Sequence, residues 1–293
     1  MFRVFTDSGS NLPAELLKKY QIGLVPLRYT MDGEDFVCFD RATGAFEGHT
    51  YYERMRQGAD VKTSMVSVGA FADAFRPVLA AGEDVLYVGM SSGISGTYNA
   101  ACLAAEELRP EFPGRRIVTV DTHCASLAEG IPALRAAELR AEGASFEKAA
   151  ETAQAMSDTM CQYFTVADLR YLQKGGRISA LSAKIGSVLG IKPILWGNEL
   201  GQIICINKVR GERKAYDALA DAYDRLCADR TARIGIAHAD NPEGLEALVS
   251  RLRAKGLTGE ILSVCYEPVT GSHVGPGAVA LFFNGIHRHG LPR

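Results

Sequence analysis

The chain has 293 residues, a formal net charge of −2, 47% hydrophobic and 23% charged residues. That size allows two modest domains or one large one, and the composition is that of an ordinary globular protein. No block of Lys and Arg favours nucleic acid, and no apolar run approaches the ~20 residues of a membrane span.

The chain opens on a strand pattern, Phe2 to Thr6, with no basic segment and apolar core of a signal peptide before it. Asp7-Ser8-Gly9-Ser10-Asn11 reads as a turn and N-cap cluster, and Pro13 to Tyr20 as a short helix. Ile22 to Tyr29 is a second strand, and Tyr51 to Gln57 and Val68 to Ala81 are helical. Val85 to Met90 and Ile117 to Val120 are further strands, each followed by a helix. This alternation predicts a parallel sheet covered by helices, with ligands at the carboxyl ends of its strands. Helical signals run from Ala125 to about Asp158, interrupted at Gly143-Ala144-Ser145, where Ser145 is the expected N-cap.

Beyond Cys161 the texture changes. Gln162 to Val166 is a strand, and Leu169 to Lys174 a helix stopped by Gly175-Gly176. Ala180 to Leu189 carries an apolar stripe at Leu181, Ile185, Val188 and Leu189. Pro193 to Trp196 and Gln202 to Lys208 form a hairpin. Helix 212–227, strand 233–238, helix 243–255 and strand 260–266 complete the pattern. The expected domains are 1–161 and 162–293, closely packed, with the segment around 273–283 returning to the first. The seven cysteines are dispersed, without a C-x-x-C pair. They read as reduced thiols of a cytoplasmic protein, mostly small core residues.

The most informative segment is Ser91-Ser92-Gly93-Ile94-Ser95-Gly96-Thr97-Tyr98, between a buried strand and an Ala-rich helix. A Ser/Gly turn there aims free N–H groups and hydroxyls at an anion, and none of its side chains is acidic. Lys62-Thr63-Ser64 and His273-Val274-Gly275-Pro276-Gly277 have the same character. Lys62 itself reads as a solvated lysine, and Asp7 and Asp121 as caps or loop braces. Ser8 is not assigned. Gly175-Gly176-Arg177 lacks the spacing of a phosphate loop and reads as a helix stop.

Seven segments in order carry a family resemblance: Thr6-Asp7-Ser8, Lys62-Thr63-Ser64, the 91–98 turn, Asp121-Thr122, Tyr171 to Ile178, Ile191-Lys192-Pro193-Ile194-Leu195, and His273 to Ala278. Together they resemble the DegV family of bacterial fatty-acid-binding proteins, over essentially the whole chain. One departure is Ala128, where the family often has Gly. The resemblance implies a two-domain α/β fold, with a parallel-sheet βαβ domain, a second α/β domain and one long-chain fatty acid between them. Members of the FakB type present that acid to a separate fatty acid kinase subunit, which forms the acyl phosphate for phospholipid synthesis.

Carried over by position, Thr63 and Ser92 are the implied carboxylate donors, with the Gly93 amide beside them and His273 close by. Ser64 and Ser95 are grouped with them. Ile185, Val188, Leu189 and Ile194 are expected along the acyl tunnel, with Gly186 and Gly190 leaving room for the chain. No cofactor, metal or catalytic residue is implied: the protein is read as a non-catalytic carrier. Lys208, Arg210, Arg213 and Lys214 form a basic cluster, a solvated face or a docking patch for an acidic kinase surface. Transient contact with a membrane surface and no nucleic acid complete the expected partners.

Two rivals remain at this level. Gly89-Met90-Ser91-Ser92-Gly93 fits G-x-S-x-G, and Ser91, Asp240 and His273 have the chain order of an acyl hydrolase. A lipid sensor without a kinase partner is the other.

Overall fold

The computed structural model describes residues 1–38, 46–178 and 190–288. In chain order, β1 (Phe2–Asp7), α1 (Ala14–Lys19), β2 (Gly23–Val25), β3 (Arg28–Met31), β4 (Glu34–Val37), α2 (Gly48–Arg56) and β5 (Val61–Ser64) come first. They are followed by α3 (Val68–Ala80), β6 (Asp84–Gly89), α4 (Thr97–Leu108), β7 (Ile117–Asp121), α5 (Leu127–Ala141) and α6 (Phe146–Thr159). The second half holds β8 (Met160–Thr165), α7 (Arg170–Lys174), β9 (Ile191–Gly197), β10 (Ile203–Arg210), α8 (Glu212–Leu226), β11 (Ile234–His238), α9 (Pro242–Ala254), β12 (Ile261–Cys265), α10 (Pro268–Val274) and β13 (Val279–Asn284).

Two large sheets organise these elements. The first is parallel, in the order β2-β1-β6-β7. Every residue of β6 is buried, which is why that strand reads as an unbroken apolar run rather than an alternation. The second sheet is mixed, in the order β10-β9-β8-β13-β11-β12. Helices α3 and α4 cover the outer face of the first sheet and α8 and α9 the outer face of the second. Helix α5 lies between the sheets, touching β1 and β6 on one side and β8, β11 and β13 on the other. Its residues are almost all buried, and its Leu127 and Ile131 belong to one apolar cluster with Val4, Leu86, Phe164 and Phe282. The layers therefore run α/β/α/β/α.

The chain passes from one sheet to the other between α6 and β8. One reading is revised. The strand expected over 22–29 is two strands, β2 and β3, separated at Pro26, which has no N–H to give a ladder. β3 leaves the large sheet and forms a small antiparallel one in the order β4-β3-β5. The segment around 273–283 meets the N-terminal half twice: α10 lies against α2, β3 and β5, and β13 against α5. β13 itself sits inside the second sheet, between β8 and β11. The Leu181, Ile185, Gly186, Val188 and Leu189 stripe lies outside the described residues.

Candidate functional site

A narrow cavity lies where the small sheet, the 91–97 turn, the start of α5 and α10 meet. Thr63, Ser64, Ser95, Ser126, Gln162, Arg177, Thr270 and His273 give it polar atoms. Leu27, Met90, Ile94, Phe164, Leu172, Ile203 and Val269 give it apolar walls. Its volume is about 50 Å³.

Thr63 enters from β5, half-buried between the exposed Lys62 and Ser64. Thr63 is a strand residue near the end of β5, held by register with Tyr29. Its Oγ1 shares a 3.0 Å hydrogen bond with Nε2 of His273. His273 lies in the last turn of α10, just before Gly275-Pro276-Gly277. Glu267 caps that helix, its carboxylate accepting from the amides of Val269 (2.5 Å) and Thr270 (2.6 Å). Burial, and then the nearby Arg177 charge, push the His273 imidazole down to about 4, so the ring is neutral near pH 7. Gly175 packs directly on this ring; a Cβ there would stand 2.2 Å from Nδ1.

Ser95 stands one turn before α4, its Oγ donating to Thr97 Oγ1 at 2.9 Å. It brings the positive end of a 12-residue helix to the cavity. Arg177, missed at the sequence level, completes the polar end. Its Nε donates to the Ile94 carbonyl at 3.0 Å and its Nη1 to the Gly175 carbonyl at 2.6 Å. Burial alone lowers its affinity for its proton. Among the described residues no carboxylate pairs with it, and it is the one permanent charge among the described lining residues.

Ser92 and Gly93 lie elsewhere. The Ser92 amide points to Asp121, 3.3 Å from each carboxylate oxygen. Gly93 lies under the tip of the β9–β10 hairpin, where a Cβ would meet the Leu200 carbonyl oxygen at 2.2 Å. Neither is among the residues lining this cavity, and the hairpin tip covers that half of the turn. Ile194 packs with Tyr163, Leu219 and Tyr223 under α8 and is not among the residues lining this cavity. Arg210, Arg213 and Lys214 are exposed at the junction of β10 and α8.

The brace readings find partners. The Asp7 carboxylate, fully buried, accepts from Gly9 N (2.8 Å), Tyr87 OH (2.7 Å) and Met90 N (3.3 Å). Burial raises its pKa, and burial plus the charge of Asp7 raises that of Glu129, whose Oε1 accepts from Thr6 Oγ1 at 2.9 Å. Ser8, unassigned from sequence, accepts the Leu27 amide at 2.9 Å. Lys62 is exposed and pairs with Asp60 at 3.2 Å. The three groups of the hydrolase reading are engaged apart: Ser91 Oγ donates to the Gly201 carbonyl at 2.9 Å, His273 is on Thr63, and Asp240 pairs with Arg56 at 2.6 Å and with His49 at 3.1 Å.

A family model described as uncharacterised protein, DegV family, matches residues 1–285. The chain belongs to the DegV family. A DegV domain-containing protein of Clostridium perfringens is 34% identical over 285 residues, 97% of either chain. Among solved structures, a Thermus thermophilus DegV-family protein described for its fatty acid binding superposes with a TM-score of 0.86 at 31% identity, covering 97% of this chain and 99% of that one. A Bacillus subtilis DegV described as a fatty acid binding protein gives 0.79 at 30% identity, covering 96% and 98%. The two-domain α/β architecture of this DegV chain is thus that of the solved family. No helix among the described residues is long and apolar enough to cross a membrane.

Proposed function

We propose that this DegV-family chain is a non-catalytic cytoplasmic carrier of one long-chain fatty acid. The observation that supports this most directly is Arg177, a half-buried guanidinium without a carboxylate among the described residues, at the polar end of an otherwise apolar cavity. A cation so placed is unfavourable until an anion meets it. Thr63, Ser95, His273 and the N-terminus of α4 add neutral donors around the same point, and Ser64 stands at its open edge. Charge-assisted hydrogen bonds of this kind contribute roughly 1.5–3 kcal/mol each.

The tail supplies more. About 15 methylenes at ~0.8 kcal/mol each have a ceiling of about 12 kcal/mol, reduced by immobilising the ligand. The head group sets orientation; the tail sets affinity. A cavity of about 50 Å³ holds a carboxylate and the first carbons, so the apolar walls part to admit the rest. The two solved relatives described as binding fatty acids, both at 30% identity or more, favour the same ligand. The carrier exchanges its acid by transient contact with a membrane surface. It then presents the carboxylate to a separate fatty acid kinase, with Arg210, Arg213 and Lys214 as the docking patch.

Native mass spectrometry of the purified protein, followed by solvent extraction, tests the carrier reading. The expected result is a fatty acid at close to one per chain. A chain that is empty, and stays empty after incubation with fatty acids, overturns it. In the same preparation, charge reversal at Arg210 and Arg213 slows acyl-phosphate formation by the kinase while the acid stays bound; unaltered kinetics removes the docking assignment.

A further inference from the structure

Ser126 stands just before α5 and lines the cavity, 1% exposed. Serine in that position ordinarily accepts one of the helix's first amides, yet Ser126 makes no such bond. Its backbone, at φ 56° and ψ −142°, occupies a region that glycine alone adopts freely. Glycine would relieve the backbone and sacrifice no cap. Neither helix capping nor backbone geometry therefore accounts for a serine here.

The hydroxyl is used elsewhere. It donates to Oδ1 of Asn11 at 3.2 Å. The same oxygen accepts the Glu267 amide at 3.2 Å, and Asn11 Nδ2 donates to the Cys265 carbonyl at 3.1 Å. Asn11 is itself left-handed, at φ 58°. One asparagine thus joins the loop after β1, the start of α5 and the junction of β12 with α10. Glu267, held by Asn11 through its amide, caps α10 with its carboxylate, and α10 carries His273. The surroundings impose the conformation of Ser126 from several sides. Its amide donates to the Gly9 carbonyl at 2.8 Å, Ala125 N donates to Gln162 Oε1 at 3.0 Å, and buried Arg288 donates to the carbonyls of Thr122 and His123.

We infer that Ser126 and Asn11 are positioning residues of the binding site: they tie the cavity floor to α10 and thereby hold His273 on Thr63 over the head group. This rests on the reading of the cavity as a fatty acid site. It separates two quantities that a merely structural role would move together. Ser126→Gly relieves the backbone, so the thermal midpoint of the ligand-free protein holds or rises. Affinity for [1-13C]palmitic acid nonetheless falls about tenfold, the loss of one buried hydrogen-bonded link.

Ser126→Ala removes the hydroxyl but keeps the unfavourable backbone, and gives the same loss of affinity with a lower midpoint. Asn11→Gly keeps a residue suited to positive φ and also loses about tenfold. The double variant Asn11→Gly/Ser126→Gly loses no more than either single one, because both cut one chain of bonds. In delipidated protein, the His273 ring followed by NMR titrates higher in all of these variants, moving from about 4 toward its ordinary 6.5 as the cavity loosens. Affinity within twofold of the parent together with an unshifted His273 titration overturns the assignment. If the parent itself takes up no palmitic acid, the carrier reading falls, and the His273 titration alone decides the positioning role.

Discussion

The two halves of the 91–97 turn have similar composition and opposite employment. Ser91, Ser92 and Gly93 are spent on construction: they lie under the hairpin tip and against Asp121. Ile94 and Ser95 face the cavity, just before α4. The hydroxyls and glycines that make a turn receptive to an anion are equally suited to receiving another piece of the same protein. What divides them is a contact from residues 198–201, more than a hundred positions away.

The largest test of this division falls on the construction half. Gly93→Ala forces a methyl against the Leu200 carbonyl, with backbone on both sides and no flexible side chain to give way. It should destabilise the protein by about 3 kcal/mol in chemical denaturation, the upper range for overpacking. An unchanged midpoint breaks the comparison at its first half.

The receiving half responds in affinity instead. Ser95→Ala should weaken fatty acid binding by about 10- to 100-fold, with the unfolding midpoint of the ligand-free protein nearly unchanged. Ser92→Ala, measured beside it by calorimetric titration, should stay within about twofold, as its side chain lies outside the cavity lining. Equal losses for the two serines would return Ser92 to the head group.

The smallest effect is the pH dependence, and it sharpens the picture of the receiving end. Empty, His273 titrates at about 4; unfolded, it titrates near 6.5. Between those values the unfolded chain binds the proton better. Its burial therefore costs nothing above about pH 6.5, and stability falls as pH drops toward 4. A bound carboxylate reverses the preference and raises the ring's pKa, so binding takes up a proton and affinity declines as pH rises through the value in the complex. His273→Gln should flatten both profiles, read by thermal melts and by titration at several pH values. A slope that survives in His273→Gln assigns the effect to another group.

Much of the frame was legible. Val85 to Met90 and Ile117 to Val120 are apolar runs because both faces of a parallel sheet are covered, and Ser145 caps Lys148 as its position suggests. The small sheet was not legible, because β3 and β4 are four residues each, partly exposed, and begin with charged residues. Two signals were present and unread: Pro26 dividing β2 from β3, and Glu267-Pro268 opening α10. The run Val279 to Phe283 was a plain buried strand without an assignment. At the site, Thr63, Ser64, Ser95 and His273 could be found because they sit in hydroxyl- and glycine-rich motifs. Arg177 could not, since an arginine after two glycines looks the same whether it faces water or a cavity. Gln162 and Thr270 come from β8 and α10, and only tertiary packing brings them in.

The position of α5 has a consequence for how the ligand is exchanged. A helix bonded by packing to both large sheets is an axle shared by the two halves, and it opposes their swinging apart like jaws. Separating them would expose Leu127, Ile131, Phe164 and Phe282 together, a cost comparable to unfolding. On the proposed carrier reading, exchange of the acid is therefore expected without parting the two sheets, as in a sleeve rather than a clamp.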